Sequence, residues 1–340
     1  MASFSVPPLG DPTWGLMVKT HRAKPRPPPA TTSFAGQTAI ITGSNSGIGL
    51  TAAQEMLQYG LTHLIIAVRN VSKGEKAATG LRTTHPTRKI EVWEVDMLSS
   101  VSVQAFARKC NQLVRLDIVI LNAGISKPGW VLSPDGHEQV FQANYLSTAL
   151  LAILLLPIIK TKRSPEIPGR LCIVSSGLAL GSQFENRNDV PLLPSFDDPT
   201  KWGVAARMDR YPLTKTLVLM LASKLSEVVS ADEVVVNVVD PGLISGTGLN
   251  MDQPLWFRAI LALMKLVSSR SMQQGAWSYL DAVAVKGKET HGGFLVNWSL
   301  YPYHSMMYTE EGKNTTQHLW EETIEELSFA GVKGILRSLT

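Results

Sequence analysis

Cysteine is almost absent: the 340 residues hold two, Cys110 and Cys172. That excludes a disulfide framework and a thiolate zinc site, and no metal is expected. It makes a reduced, cytoplasmic setting the simplest expectation. Long apolar runs are missing as well. No segment reaches the ~18 consecutive apolar residues of a spanning helix. Thr148–Ile159 is very apolar but short, and reads as a buried core helix. Neither sign of charge dominates: 32 basic against 28 acidic residues leave a net +4. The basic residues are spread out, apart from His21, Arg22, Lys24 and Arg26. Neither a nucleic-acid stripe nor a polybasic membrane anchor is therefore expected. Residues 1–34 are rich in proline and lack the apolar core of a signal peptide, so they are expected to form a mobile leader. Without such a signal, Asn70-Val-Ser72, Asn297-Trp-Ser299 and Asn314-Thr-Thr316 are chance matches to a glycosylation acceptor.

What is present is alternation. Short apolar runs at Gln37–Thr42, His63–Val68, Ile90–Val95, Leu116–Leu121, Leu171–Val174, Val234–Val239 and Gly293–Trp298 read as strands. Between them, Ser46–Tyr59, Ser72–Thr83, Ser99–Leu113, Glu138–Ile159, Tyr211–Val229 and Gln273–Ala284 read as helices, with Trp320–Leu327 as a last one. Ser99 or Ser100 is the expected N-cap of the third. The strands lack polar alternation, as expected when both sheet faces are covered. The fold class is α/β: one doubly wound parallel sheet of about seven strands, helices on both faces. Residues 35–340 form this domain, with an insertion at 177–208, a lid at 243–270 and an extension at 300–340.

Several polar motifs fall at the carboxyl ends of these strands, where open α/β sheets bind ligands. The first strand runs into Thr42-Gly43-Ser44-Asn45-Ser46-Gly47-Ile48-Gly49 and then a helix. Glycines there permit a tight turn and a close approach to a pyrophosphate, and the helix N-terminus faces the anion. Arg69 ends the second strand, twenty residues beyond Gly49; a basic residue there suits the 2′-phosphate of NADP. Asp96 follows strand three, Asn122-Ala123-Gly124 strand four, Ser175-Ser176 strand five, and Asp240-Pro241-Gly242-Leu243-Ile244 strand six. Asn144 lies within the long fourth helix. Tyr211 and Lys215 stand four apart, so a helix sets the phenol beside the ammonium. A fixed positive charge lowers a phenol's pKa and makes it a usable acid and base.

Together these motifs resemble the short-chain dehydrogenase/reductase family over about residues 35–300. The resemblance rests on Thr42-Gly-x-x-x-Gly47-Ile48-Gly49, Asp96, Asn122-Ala-Gly124, Asn144, Ser176, Tyr211-x-x-x-Lys215 and Pro241-Gly242, in the family's order. Within the family, Asn45-Ser-Gly-Ile-Gly and Val68-Arg69-Asn70-x-x-Lys73-Gly-Glu-Lys76 are most similar to the retinol-dehydrogenase-like branch. Arg270-Ser271, Gly275, His291-Gly-Gly and Trp320-Glu-Glu-Thr look like fungal members, many of which tailor natural products.

The resemblance implies an NADP-dependent enzyme acting on the carbonyl or alcohol of an apolar small molecule. Tyr211 is the implied proton donor. Lys215 lowers its pKa and holds the nicotinamide ribose, Ser176 positions the substrate oxygen with Ser175 as fallback, and Asn144 anchors a water. Gly43, Ser46, Gly47, Ile48, Gly49, Arg69, Asp96, Asn122, Ala123 and Gly124 are implied cofactor contacts, with Pro241, Gly242, Ile244 and Thr247 near the nicotinamide. Thr247 comes one residue later than the family pattern, and Ser245 is its alternative. Leu255–Val267 reads as a lid over the substrate, or else as a membrane or homodimer surface. A retinol- or lipid-type dehydrogenase, a reductase of carbon–carbon double bonds and a non-catalytic NADP-binding regulator are the other readings.

Overall fold

β1 (Thr38–Thr42) is buried at every position, with β2 (His63–Val68) on one side and β4 (Ile118–Leu121) on the other. Such a strand can be neither polar nor alternating, which is why TAIIT and HLIIAV read as plain apolar runs. A computed structural model of the protein describes residues 2–9, 23–249, 252–255, 258, 262–263, 265 and 269–339. Among these, β3 (Lys89–Glu94), β5 (Gly169–Val174), β6 (Val234–Asp240), β7 (Gly293–Val296) and β8 (Ser299–Tyr301) complete one sheet of order β3-β2-β1-β4-β5-β6-β7-β8. All pairings are parallel except β7 with β8.

Helices cover both faces. α1 (Gly47–Gln58), α2 (Val71–Thr84) and α6 (Met272–Leu280) bury Ala52, Met56, Leu81 and Tyr279 on one face. α3 (Ser100–Cys110), α4 (Gln139–Lys162) and α5 (Val204–Val228) bury Phe106, Leu151 and Leu217 on the other. Ser99 caps α3, accepting from the Ser102 N–H. α4 is apolar on all sides. By length and composition it would cross a membrane, but 89% of its most apolar window is buried in the protein. Its turn at Gln142–Leu146 is π-helical, and that turn carries Asn144.

Four expectations need correction. The sheet has eight strands rather than about seven. Asn297 and Trp298 both take positive φ, +55° and +61°, and fold β8 back on β7 in a two-residue hairpin. α5 begins at Val204, seven residues before Tyr211, so Pro212 lies inside the helix rather than at its start. The terminal helix α7 spans Glu310–Glu326 and is followed by α8 (Val332–Leu339). The proline-rich N-terminus is not loose along its whole length: Ser3 is fully buried, donates to the Tyr301 carbonyl at 2.6 Å and accepts from the Phe294 N–H at 2.7 Å. His21, Arg22 and most of Leu255–Val267 lie outside the described residues.

The insertion at 177–208 is a packed structure. Phe184, Leu192, Leu193 and Phe196 are buried, and Phe196 stacks on Phe141 of α4 at 4.3 Å. Glu322 of α7 accepts from the Leu192 and Leu193 N–H groups, both at 2.7 Å. His137, just before α4, sits between Asp197 of the insertion (Nδ1–O 2.7 Å) and Glu326 of α7 (Nε2–O 3.3 Å). Burial opposes its charged form, but the two carboxylates outweigh burial and raise its pKa above 6.5. A raised histidine stabilises the fold fully below the unfolded value, and the gain is lost as pH rises through the folded pKa. His137→Gln is therefore expected to lower Tm clearly near pH 6 and progressively less towards about pH 8. A Tm difference that stays constant across that range contradicts the assignment.

Candidate active site

The turn after β1 is shaped by two glycines at positive φ, Gly43 at +67° and Gly47 at +60°. Gly49 answers a different need. A Cβ there would stand 2.6 Å from Asn122 Nδ2 and 2.9 Å from the Gly43 carbonyl oxygen. Asn122 is fixed in turn: its side-chain amide donates to Thr42 O at 2.7 Å and its Oδ1 accepts from Tyr279 OH at 2.9 Å. Thr42 Oγ1 accepts from the Asn122 and Ala123 N–H groups, both at 2.9 Å. β1 and β4 are thus stapled at their carboxyl ends, and the staple leaves room for no side chain at 49. Ser46 is the N-cap of α1, exposed, with no side-chain hydrogen bond to the helix. The first N–H groups of α1 and a glycine cradle together suit an anionic phosphate. Gly49→Ala is expected to cost about 1–3 kcal/mol through overpacking and to weaken dinucleotide binding. Thermal melts and a binding titration would test this; a variant unchanged in both would show the cradle to be slack.

Arg69 follows β2 directly and is exposed, as are Lys73 and Lys76. Among the described residues it has no ion-pair partner, so its guanidinium is available at the carboxyl edge. Asn70 caps α2, accepting from the Lys73 N–H at 2.9 Å. Asp96 turns its carboxylate to the Leu98 N–H at 3.0 Å and shapes the loop after β3.

Lys215 and Asn144 meet across Gly124. A Cβ on Gly124 would lie 3.1 Å from Asn144 Oδ1 and 3.4 Å from Lys215 Nζ. The π turn sets Asn144 inward, where Oδ1 accepts from the Ile125 N–H at 2.8 Å. Its Nδ2 donates to the Ile125 carbonyl at 2.9 Å and to Thr214 Oγ1 at 3.1 Å. Such local π geometry is frequent at functional sites. Lys215 donates to the Val174 carbonyl at 2.9 Å and lies 5.7 Å from the Tyr211 ring centre.

The two serines after β5 separate cleanly. Ser175 is buried and donates to the Lys215 carbonyl at 2.9 Å, which makes it structural. Ser176 is half-buried, caps a short 3-10 turn (Gly177–Gly181) and interacts with the Tyr211 hydroxyl. Beyond β6, Gly242 takes φ +85°, and its N–H donates to Asp240 Oδ1 at 3.0 Å. Ile244 is buried, Thr247 is half-buried, and Ser245 donates to Ser269 Oγ at 2.6 Å. Arg270 reaches over this loop, donating to the Pro241 carbonyl at 3.1 Å and stacking on Trp298 at 4.6 Å.

The electrostatics depart from the sequence expectation. Burial brings the Lys215 amine down to about 8. The Tyr211 phenol goes up, first through burial and then through the Asp240 carboxylate, with the Ser176 hydroxyl acting against both. Asp240, Tyr279 and Arg270 were not among the expected site residues. Asp240 had a visible signal, an acid closing the apolar run Val234–Val239; the other two are brought in only by the fold. Two surface hollows, about 680 Å³ beside Lys160 and His291 and about 300 Å³ beside His137, contain none of these groups.

A doubly wound sheet with a phosphate-shaped turn and a Ser, Tyr, Lys and Asn set at its carboxyl edge defines a dinucleotide-dependent oxidoreductase. Comparison with known proteins agrees. A family model described as short chain dehydrogenase matches residues 37–186. The chain is 48% identical over 320 residues to the short chain dehydrogenase/reductase mfmJ of Annulohypoxylon moriforme, covering 94% of this chain and 92% of that one. It is 42% identical over 317 residues to the short chain dehydrogenase virL of Hypocrea virens, covering 93% and 92%. Among solved structures, an uncharacterized protein from Mycobacterium Paratuberculosis superposes with TM-score 0.61 at 25% identity, over 87% of this chain and 95% of that one. The Pseudomonas aeruginosa RhlG/NADP complex superposes with TM-score 0.57 at 21% identity, over 81% and 97%, and shares the fold. The protein belongs to the short-chain dehydrogenase/reductase family and is an enzyme of that family.

Proposed function

We propose that the protein uses NADPH to reduce the carbonyl of an apolar small molecule, a polyketide-like intermediate of secondary metabolism, or runs the reverse oxidation. The observation that carries this reading is the gathering of Ser176, Tyr211 and Lys215 beside a glycine cradle with an exposed arginine at its rim. NADPH supplies the hydride when bound. Gly43, Gly47 and Gly49 let the backbone approach a pyrophosphate, and Arg69 matches a 2′-phosphate. Asn122, Ala123 and Gly124 form the next stretch of the same edge. Pro241, Gly242 and Ile244 wall it beyond β6. Ser245 commits its hydroxyl to Ser269, which leaves Thr247 as the hydroxyl for a nicotinamide amide.

Ser176 Oγ–H hydrogen-bonds the substrate oxygen and fixes its position. Tyr211 donates its phenolic proton to that oxygen as negative charge develops there. Lys215, held by the Val174 carbonyl, stands behind the phenol and takes the ribose contact that the family resemblance implies. Asn144 holds the loop after β4 in place from within α4. The apolar substrate is supported by Leu178, Val204 and Met208, which stand exposed on the elements that bear Ser176 and Tyr211. Val204, Met208 and Tyr211 follow one helix face at i, i+4 and i+7. Gln253 Nε2 donates to Ser126 Oγ at 3.0 Å, and Lys127 pairs with Asp252. These contacts set Asp252 and Gln253 against the loop after β4, as suits a cover over the substrate. A cytoplasmic setting belongs to the same proposal and suits two buried free cysteines.

Tyr211→Phe is expected to reduce turnover by about 10²-fold or more with NADPH affinity nearly unchanged. Kinetics and a binding titration would check it; equal loss of both would make Tyr211 a structural residue. Arg69→Asp is expected to move the kcat/KM preference from NADPH towards NADH, and an unchanged ratio would refute the 2′-phosphate assignment.

A further inference from the structure

The hollow of about 300 Å³ beside His137 lies where the π turn of α4 meets the start of α3 and the end of α7. That volume is the lower end of the range for small-molecule sites. Leu146, Leu150 and Leu327 give it an apolar wall. Phe329, on the turn Leu327–Ala330, also lines it and is 57% exposed. Its polar groups are Ser100, Asp135, His137, Gln142, Ser147 and Glu326, and no lysine or arginine lines it among the described residues.

Ser147 is the informative group. It opens the regular part of α4 after the π turn and is 3% exposed. Its hydroxyl nevertheless makes no hydrogen bond among the described residues. The next residue shows the usual solution within a helix: Thr148 Oγ1 donates to the Ala143 carbonyl at 3.1 Å. A buried hydroxyl left without a partner is costly. Ser147 therefore offers the hollow one donor and one acceptor. The carboxylates beside it are fixed by the frame. Asp135 Oδ2 accepts from the Ser100 N–H at 2.7 Å and from Gln142 Nε2 at 2.6 Å, which leaves Oδ1 open. Glu326 Oε1 stands 3.3 Å from His137 Nε2. Two carboxylates against one histidine leave the lining negative in either charge state of His137.

We propose that this hollow is a second ligand site, separate from the catalytic edge, for a small organic cation. The ammonium group is held by Asp135, Glu326 and the Ser147 hydroxyl, and the apolar body lies against Leu150 and Phe329. An anion would meet like charge there, and a neutral ligand would leave the carboxylates unmatched. A ring as exposed as that of Phe329 also offers its face to a cation.

The test is a calorimetric titration of the full-length protein with phenethylamine at about pH 8, where the amine is protonated. A Kd of about 1 mM or tighter is expected, within reach of so small a ligand. The uncharged analogue 2-phenylethanol is expected to bind about tenfold more weakly. Binding of the amine weaker than about 10 mM, or equal binding of the alcohol, overturns the proposal, and neither result depends on a variant. Glu326→Gln is expected to weaken the amine about tenfold and Ser147→Ala about fivefold. Either variant, folded and binding as the wild type does, overturns the assignment. Tyr211→Phe should bind the amine unchanged; a weaker titration there would move the amine to the catalytic edge and overturn it equally.

Discussion

Lys215 carries an amine into a site where only 4% of the residue is exposed, and the Val174 carbonyl holds it at 2.9 Å. Much of the carboxyl edge is arranged around that placement. Val174 is the last residue of β5, so the strand end itself supplies the acceptor. Ser175 then donates back to the Lys215 carbonyl at 2.9 Å, closing strand and helix into one unit. A Cβ on Gly124 would crowd Asn144 Oδ1 at 3.1 Å and Lys215 Nζ at 3.4 Å, so glycine there lets the two groups sit close. Asn144 is brought to that point by a π turn in an otherwise regular apolar helix. Displacing the end of β5 would leave a buried amine without its acceptor, an outcome far worse than a lost surface contact.

The parallel core was legible because burial on both faces leaves little freedom of sequence. His63–Val68 reads as a strand and forms one over the same six residues. The phosphate turn was equally plain, since strand, glycines and helix follow one another within a few residues. Elements fixed by distant contacts were not. α5 starts early because Asp209 accepts from the Gln183 and Phe184 N–H groups and Arg210 donates to the Phe196 carbonyl. No local pattern announces those partners, and Pro212 looked like a first-turn proline. α7 did carry a local signal: Thr309 caps it, accepting from the Gly312 N–H at 3.0 Å, with two glutamates following. Its first turns are polar, so apolar periodicity began too late to show them. β8 was hidden by Trp298, a bulky residue at positive φ that the stacked Arg270 guanidinium helps to hold.

In the site, residue identities were legible and their electrostatics were not. Tyr211 and Lys215 share a helix face and Ser176 follows a strand end, as their spacing implies, while Asn144 reaches them through the π turn. The choice between Ser175 and Ser176 needed the structure, because only hydrogen bonding shows that Ser175 already has a partner. The sign of the Tyr211 shift needed it too. Sequence spacing puts a lysine beside a phenol but says nothing of how deeply the amine is buried. Depth matters here, since burial brings the Lys215 amine down to about 8.

Two opposed demands therefore meet on one helix face. Lys215 has to be buried to reach the Val174 carbonyl, and that burial weakens it as a charge. Tyr211 is partly exposed at the edge of the same site, and the burial it does have raises its pKa. Both effects favour the same protonation state, a neutral phenol beside an amine ready to discharge. The packing of the carboxyl edge thus sets the surroundings of both groups, through burial depths that a list of motif residues does not contain.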